Sequence, residues 1–465
     1  MSEALNSPEA KSRRFRSYPK YKESGVEWLG EIPASWRVSK FRQFATRGNE
    51  FASGPFGSNI GSSFYQNEGV PVIRGNNLSI NGEKPKYNNN GYAFISELKA
   101  NELSHSNAIA GDLVFTARGT TGQVGLIPLN SGFRRFILSA NQLRFRPDPT
   151  VWSGDFLWYL FSSTFIRSQV FLESESVAQP NLNLGSLKGL RVIVPPLSDQ
   201  NDIVEFLDSE TAEIDALIAK KQRLIELLQE KRTALITHAV TKGLDPNVPM
   251  KDSGIEWLGQ IPAQWDVLRL KYLSSINDEV LNEKTDPRFE LIYVDIGGVD
   301  QYQGIVASEE LVFETAPSRA RRIVRDGDVI ISTVRTYLRA IAPIKHPESN
   351  LIVSTGFAVI RPSSALESNF APYALRASHF IESVVANSDG VSYPAIDTSK
   401  MSCFSVATPD IKEQQEIASF LEREMTKTDA LVAKIHEAID RLKEYRTALI
   451  SAAVTGKSDV REIIA

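Results

Sequence analysis

Towards the end of the chain, apolar or neutral residues recur in steps of three and four: Leu421, Met425, Thr428, Val432, Ile435, Ile439, Leu442, Tyr445 and Leu449. Sustained over about four heptads, that spacing predicts a long helix with a coiled-coil seam. An earlier stretch carries Leu207, Ile214, Leu217, Ile218, Leu224, Ile225, Leu228 and Leu235, with Lys221 and Lys231 interrupting the seam. Pro195-Pro196 and Pro409 stop whatever precedes each stretch, and Gly243, with Pro246 and Pro249 beyond it, ends the first. Elsewhere the apolar residues fall in short runs punctuated by Gly, Asn and Pro, which predicts strands at Val70–Arg74, Asp112–Thr116, Leu190–Val194, Leu291–Asp295, Asp328–Thr333 and Leu351–Ile360. Asp155–Phe171 and Phe370–Ala386 have helical spacing instead.

These elements occur in the same order twice. Glu23-Ser24-Gly25-Val26-Glu27-Trp28-Leu29-Gly30-Glu31-Ile32-Pro33-Ala34 returns as Asp252-Ser253-Gly254-Ile255-Glu256-Trp257-Leu258-Gly259-Gln260-Ile261-Pro262-Ala263. Asp215-Ala216-Leu217-Ile218-Ala219-Lys220 and Arg232-Thr233-Ala234-Leu235-Ile236 return as Asp429-Ala430-Leu431-Val432-Ala433-Lys434 and Arg446-Thr447-Ala448-Leu449-Ile450. A period of roughly 215–230 residues is far beyond a solenoid repeat, so whole domains are duplicated. The expected organisation is α+β: an N-terminal tail at 1–20, α/β modules at 21–197 and 244–410, long spacer helices at 198–243 and 411–457, and a C-terminal tail at 458–465. The first helix delivers the chain to the second module, so the second helix must run back along it. This predicts an antiparallel coiled coil, an internal pseudo-two-fold, and a spacer of about 60 Å.

Composition adds exclusions. At 465 residues with 42% hydrophobic and 23% charged residues, the chain is an ordinary globular protein of more than one domain. It has no apolar run long enough to span a membrane and no hydrophobic leader, so a cytoplasmic location is expected. Cys403 is the only cysteine, which excludes internal disulfides, and its apolar neighbours predict a small core side chain. The net charge of −4 does not favour a generic polyanion binder, but basic residues cluster at Lys11–Lys22, Arg134-Arg135, Arg144/Arg146 and Arg319–Arg325, outside the acidic helices.

Box, helix and order together resemble the specificity subunit of a type I restriction–modification system. The resemblance rests further on Ser53-Gly54-Pro55-Phe56-Gly57-Ser58, Gly69-Val70-Pro71-Val72-Ile73-Arg74-Gly75-Asn76-Asn77, Gly111-Asp112-Leu113-Val114, Arg118-Gly119-Thr120-Thr121-Gly122 and Pro180-Asn181-Leu182-Asn183. The junction Pro195-Pro196-Leu197…Gln200…Ile203 and the closing segments Ala239-Val240-Thr241-Lys242-Gly243 and Ala453-Val454-Thr455-Gly456-Lys457 complete it. The second module departs, with Ser332-Thr333-Val334-Arg335-Thr336 after Gly327-Asp328 and no Gly-Pro-Phe-Gly-Ser loop. The resemblance implies a non-catalytic reader of double-stranded DNA with two target-recognition domains, one for each part of a split sequence. It also implies two methyltransferase subunits and restriction subunits as partners, with S-adenosylmethionine, ATP and Mg held by those partners and no cofactor on this chain.

The chain's own chemistry agrees with a reader. Val194-Pro195-Pro196-Leu197 lacks the polar residue and the aromatic that an adenine methyltransferase needs around its prolines. Gly456-Lys457-Ser458 has Ser451 where a P-loop needs glycine and closes a helix instead of opening one. Asp410 and Glu413 fit a helix start better than a nuclease metal site. Candidate DNA-binding residues, chosen as donors or stacking groups near glycine turns or in basic clusters, are Ser58, Arg74, Asn76, Arg118, Thr120, Gln123, Asn141, Arg144 and Asn183 in the first module. In the second they are Arg319, Arg321, Arg322, Arg335, Tyr337, Arg339 and Tyr393. Any of them also fits an ordinary turn or a solvated surface charge. Trp28, Leu227, Trp257 and Ile450 are candidates for a methyltransferase-facing surface, though a cap over the helix ends is the favoured reading of the two tryptophans. The alternatives are a protein-interaction scaffold and a stand-alone DNA-modifying enzyme with cryptic motifs. One heptad inserted into both helices is expected to lengthen the unread spacer by roughly three base pairs. Methylation mapping of the variant checks this, and an unchanged spacer counts against a helical ruler.

Overall fold

Both long helices begin directly after the prolines that stop the preceding strands, and a computed structural model shows how each is anchored. It describes residues 16–45, 48–120, 122–174, 182–390 and 393–461. Lys11, Arg13 and Arg14 of the basic N-terminal cluster, Thr121 of the first glycine turn and the Pro180-Asn181 pair lie outside the described residues.

The helices cover Leu197–Lys242 and Ile411–Val454. In the first turn of each, a fully buried glutamine ties the helix to its own module. The Gln200 amide donates to the carbonyls of Val151 (2.9 Å) and Pro195 (3.0 Å) and accepts from the Ser153 amide (2.9 Å). Gln414 repeats the set with Ala365 (3.1 Å), Pro409 (2.9 Å) and the Glu367 amide (2.8 Å). One residue earlier an acid takes an indole hydrogen bond: Asp199 from Trp36 at 2.8 Å, Glu413 from Trp265 at 2.9 Å. Asp410 accepts from the Glu413 amide at 2.9 Å, so this pair of acids starts the helix, as its spacing predicts. Gly243 and Gly456 close the helices with φ of +77° and +74°. A Cβ at Gly456 would lie 2.4 Å from Pro33 Cδ and 2.8 Å from Trp36 Cζ3, so only glycine fits.

The chain divides into two compact units, Met1–Lys220 with Glu437–Ala465, and Lys221–His436, so the division falls inside both long helices. In the first unit the start of the first helix lies beside the end of the second. Trp36 touches Asp199 and the Gly456 position, and Arg446 pairs with Asp215 at 3.1 Å. In the second unit the roles are exchanged: Trp265 touches Glu413 and the Gly243 position, and Arg232 pairs with Asp429. Within each unit the helix pair is therefore antiparallel. Both arginines are buried and reach on to a turn of the module, Arg446 to the carbonyls of Asn81 and Gly82 and Arg232 to that of Tyr302 at 3.3 Å.

Burial at Leu207, Thr211, Ile214, Ile225, Arg232, Ile236 and Ala239 traces the seam of the first helix, and Leu421, Met425, Ile435, Ile439 and Leu449 that of the second. The expected seam of the first helix needs correction. Leu217 and Leu224 are 43% and 44% exposed, because a 3.5-residue step from Leu207 through Ile214 passes one position away from each. Lys231 likewise turns outward, and the buried cation is its neighbour Arg232.

Each module has two four-stranded sheets of one topology. In the first, Ala93–Ile95, Val70–Ile73, Phe136–Leu138 and Asn107–Ala108 form one sheet, and Phe51–Ser53, Gln142–Phe145, Leu113–Thr116 and Val124–Leu126 the other. In the second the corresponding orders are Glu309–Val312, Glu290–Val294, Leu351–Ser354, Ala320–Ile323 and Ser274–Ile276, Phe357–Pro362, Val329–Ser332, Ile341–Pro343. One parallel pair recurs, Val72 with Ile137 and Tyr293 with Ile352. The run expected as one strand over Leu351–Ile360 is thus two strands in different sheets, parted at Thr355-Gly356. The Gly-Asp motifs have a structural task. Asp112 accepts two hydrogen bonds from Arg146, both 2.8 Å, and Asp328 two from Arg361 at 2.9 and 2.8 Å, pinning the central strand to its neighbour in each module.

Three further expectations are corrected. Asp155–Phe171 and Phe370–Ala386 each form two helices, broken at Ser163 and Ala377 where the backbone turns extended. The amides freed there are taken by the long helices, Thr164 donating to Ser451 Oγ and Ser378 to Thr237 Oγ1, both at 3.0 Å. Tyr18 and Val460 are buried in the first unit's core and Arg16 bridges Asp459. Cys403 is exposed, not a core residue.

His379 is 8% exposed among apolar side chains of the second unit, and neither ring nitrogen has a hydrogen-bond partner among the described residues. Burial, with Lys242 nearby, pulls its pKa down to about 4. The fold therefore holds the neutral imidazole. This contribution is complete above the ordinary value of 6.5 and is lost as pH falls toward 4. Denaturant unfolding at pH 7 and pH 4 is expected to show roughly 3 kcal/mol less pH-dependent loss in His379→Leu than in the parent chain. Equal losses would contradict a buried neutral histidine.

Candidate nucleic-acid interface

In the first module the hairpin turn after Leu113–Thr116, the Gly57–Asn59 turn and the Gly75–Asn77 turn open onto one cleft of about 570 Å³. Arg74, Asn76, Arg118, Thr120, Gln123 and Asn141 all line it, together with Tyr65, Thr116, Ser139 and Gln142, which the sequence reading did not single out. Among the described residues, Arg74 and Arg118 are its charged lining and no carboxylate lines it. Its walls are held by hydrogen bonds behind the surface. Asn77 accepts from the Arg74 amide (2.9 Å) and donates to the carbonyls of Asn88 (2.9 Å) and Asn90 (3.0 Å). Arg74 Nη2 reaches the Gly91 carbonyl at 2.9 Å, and Gln123 accepts from the Thr116 hydroxyl at 2.9 Å. A cationic cleft lined with amides suits phosphate oxygens and the acceptor edges of bases.

Three first-module candidates fall elsewhere. Ser58 is exposed on the 3-10 turn beside Gly57 at the cleft's rim, and Asn183 caps the helix Leu184–Gly189 by accepting from Ser186 N at 2.9 Å. Arg144 is a correction. It is 4% exposed, donates to the Asn49 carbonyl and lies 3.7 Å from buried Asp112, because the alternation of its strand turns it inward. Burial lowers its pKa, with Asp112 opposing.

In the second module the candidates separate. Arg321 lies 4.5 Å over the Phe313 ring, and Arg322 on the same strand is half-buried, its pKa lowered by burial. Arg319 is exposed and pairs with Asp295 at 3.1 Å. Arg335, Tyr337, Arg339 and Tyr393 come together at the turn between Val329–Ser332 and Ile341–Pro343, the counterpart of the Arg118–Gln123 turn, where the Arg335 guanidinium sits 5.0 Å over the Tyr393 ring. Tyr337 and Tyr393 are 55% and 67% exposed.

Comparison with known proteins now bears on this arrangement. The family model for the type I restriction modification DNA specificity domain matches residues 56–227 and again residues 264–441. The chain belongs to this family. Among its relatives, a chain assigned as the type I restriction enzyme MjaX specificity subunit of Methanocaldococcus jannaschii is 23% identical over 449 residues, 93% of this chain and 96% of that one. The type I restriction enzyme EcoKI specificity subunit of Escherichia coli K12 is 21% identical over 457 residues, covering 92% and 90%. The fold is shared with a chain solved in work on complex assembly and conformational transition of the type I R-M system, with a TM-score of 0.64 at 17% identity over 91% of this chain and 99% of that chain.

The repeated boxes form hairpins, Tyr21–Glu23 with Glu31–Pro33 and Met250–Asp252 with Gln260–Pro262, whose turns leave Trp28 and Trp257 51% and 62% exposed. Leu227 is 45% exposed on the first helix. Ile450 is a correction: it is 1% exposed in the first unit's core, against the Gly82 turn, and has no outward face. Ile450→Ala is expected to cost about 2–5 kcal/mol of stability, and Leu227→Glu less than about 0.5 kcal/mol. Denaturant titration of the two variants checks this, and similar losses in both would contradict the burial pattern.

Proposed function

We infer that this chain is the DNA specificity component of a type I restriction–modification system. It reads a split duplex target, one part with each module, and does no chemistry of its own. The observation that carries this reading is the specificity-domain match occurring twice, once over each module with the start of its helix. Supporting it are the cationic cleft of the first module and the exposed arginine–tyrosine turn of the second. Phosphate contacts supply affinity and register, and amide and guanidinium groups at base edges supply sequence choice.

In this reading two adenine methyltransferase subunits dock on the outward apolar residues, Trp28 and Trp257 at the box hairpins and Leu227 on the helix, and restriction subunits join that core in the cytoplasm. S-adenosylmethionine, ATP and Mg belong to those partners. The residues on this chain that invite an enzymatic reading are otherwise occupied, Asp410 and Glu413 at a helix start and Gly456 at a helix end.

Adenine methylation mapping tests the assignment. Cells carrying the chain should show one split methylated motif that vanishes on its deletion. The double variant Arg118→Ala, Gln123→Ala should relax only the part read by the first module, since each lost base contact removes about 1–3 kcal/mol of discrimination at its own position. A methylation pattern indifferent to the chain would end this reading.

A further inference from the structure

The turn joining Val329–Ser332 to Ile341–Pro343 has a construction that base-edge hydrogen bonding does not require. Arg335 and Arg339 both adopt left-handed backbone, φ/ψ of 51°/48° and 51°/34°, on either side of the single 3-10 turn Thr336–Leu338. Residues with a Cβ are rarely found there, and two of them flanking three residues persist only where the surroundings hold them. Those surroundings are present. The Arg335 amide donates to the Pro394 carbonyl at 2.7 Å, Ile396 donates to Thr333 at 2.8 Å, and buried Thr336 shares a 2.9 Å hydrogen bond with Ser388. Thr336 thus points inward, and its neighbours Tyr337 and Leu338 are pushed out, 55% and 41% exposed. Among the described residues neither flanking arginine has an ion pair, and the Arg335 guanidinium rests on Tyr393.

We propose that Tyr337 and Leu338 form a wedge that enters a base step of the second half-site and unstacks it, while Arg335 and Arg339 hold the phosphates on either side. The proposal deepens the DNA-reading assignment and rests on it. Given that assignment the partner is a duplex: an apolar pair flanked by two cations complements a polyanion whose interior is a stack of flat apolar faces, and a protein contact, which also favours arginine and tyrosine, is an outcome of the test. A contact with phosphate alone would leave no use for a held-out leucine. The corresponding turn of the first module is built differently, with Gly119 and Gly122 at positive φ and Arg118 and Thr120 facing the cleft. Unstacking is therefore expected in one half-site only.

The test uses the full chain co-purified with its methyltransferase subunits, and duplexes carrying the mapped motif with 2-aminopurine placed at each step in turn. Apart from the methylated adenines, which the methyltransferase subunits themselves extrude, binding should raise fluorescence several-fold at one step of the second half-site and at none in the first. Leu338→Ser with Tyr337→Ser should abolish that rise and weaken binding roughly tenfold. Arg335→Gln and Arg339→Gln should each reduce the salt slope of binding by about one while keeping the fluorescence. Circular dichroism and retained fluorescence in the arginine variants show that the turn is still folded. Sequence-specific binding without a fluorescence rise overturns the wedge and leaves the DNA-reading assignment standing. No sequence-specific binding by the parent complex overturns both. Loss of the methyltransferase subunits in the serine variant assigns the tip to a protein contact and overturns the wedge.

Discussion

In each unit one buried tryptophan receives the start of one long helix and the close of the other. Trp36 donates to Asp199 and packs against the Gly456 position, and Trp265 does the same with Glu413 and Gly243. Because the close comes from the opposite repeat, neither core is complete with its own residues. Leu449, Ile450, Ala453 and Val454 fill the first, and Ile236, Ala239 and Val240 the second. The Arg446–Asp215 and Arg232–Asp429 pairs repeat the exchange one or more turns further in, each arginine also holding a turn of its module. An insertion or slip in one helix alone would pull these groups out of register, leaving a buried arginine unpaired, which is costly.

This explains why the repeated segments are where they are. Box, helix start and helix close meet at one place in each unit, so each copy must fit both its own helix and the other. The sheets carry no such double duty. They share a topology and an Asp–Arg clamp, Asp112 with Arg146 and Asp328 with Arg361, which fixes the central strands at their base. Beyond the clamp the turns are free to differ, and they do: a cationic cleft in one module, a strained and protruding tip in the other. A fixed frame with variable turns is the arrangement in which recognition can change without cost to the fold.

Much of this was legible in the chain. Helix ends, strand runs and the order of elements followed from periodicity and from proline and glycine punctuation, and the first-module cleft gathers most of the residues proposed from their types. The errors share a cause. Arg144 and Ile450 were read as outward, Leu217, Leu224 and Cys403 as inward, and each judgement depended on a facing direction that a single residue's chemistry does not specify. A shift of one position on a helix or strand moves a side chain to another face.

The amino-acid order by itself determined the duplication, the long helices with their heptad spacing and stop signals, and the absence of the motifs that methyl transfer or a nucleotide-binding P-loop would need. These are local or countable properties, set by backbone preference and side-chain type. Tertiary structure alone decided which arginines are used up in ion pairs and backbone contacts, since Arg144, Arg146, Arg232, Arg361 and Arg446 are held by partners distant in sequence while among the described residues Arg335 and Arg339 have no ion pair. It also broke two predicted helices at Ser163 and Ala377, where a hydroxyl from a long helix offers the freed amide a partner. Whether a polar group is used up or available depends on what packs against it, and that is a property of the folded chain.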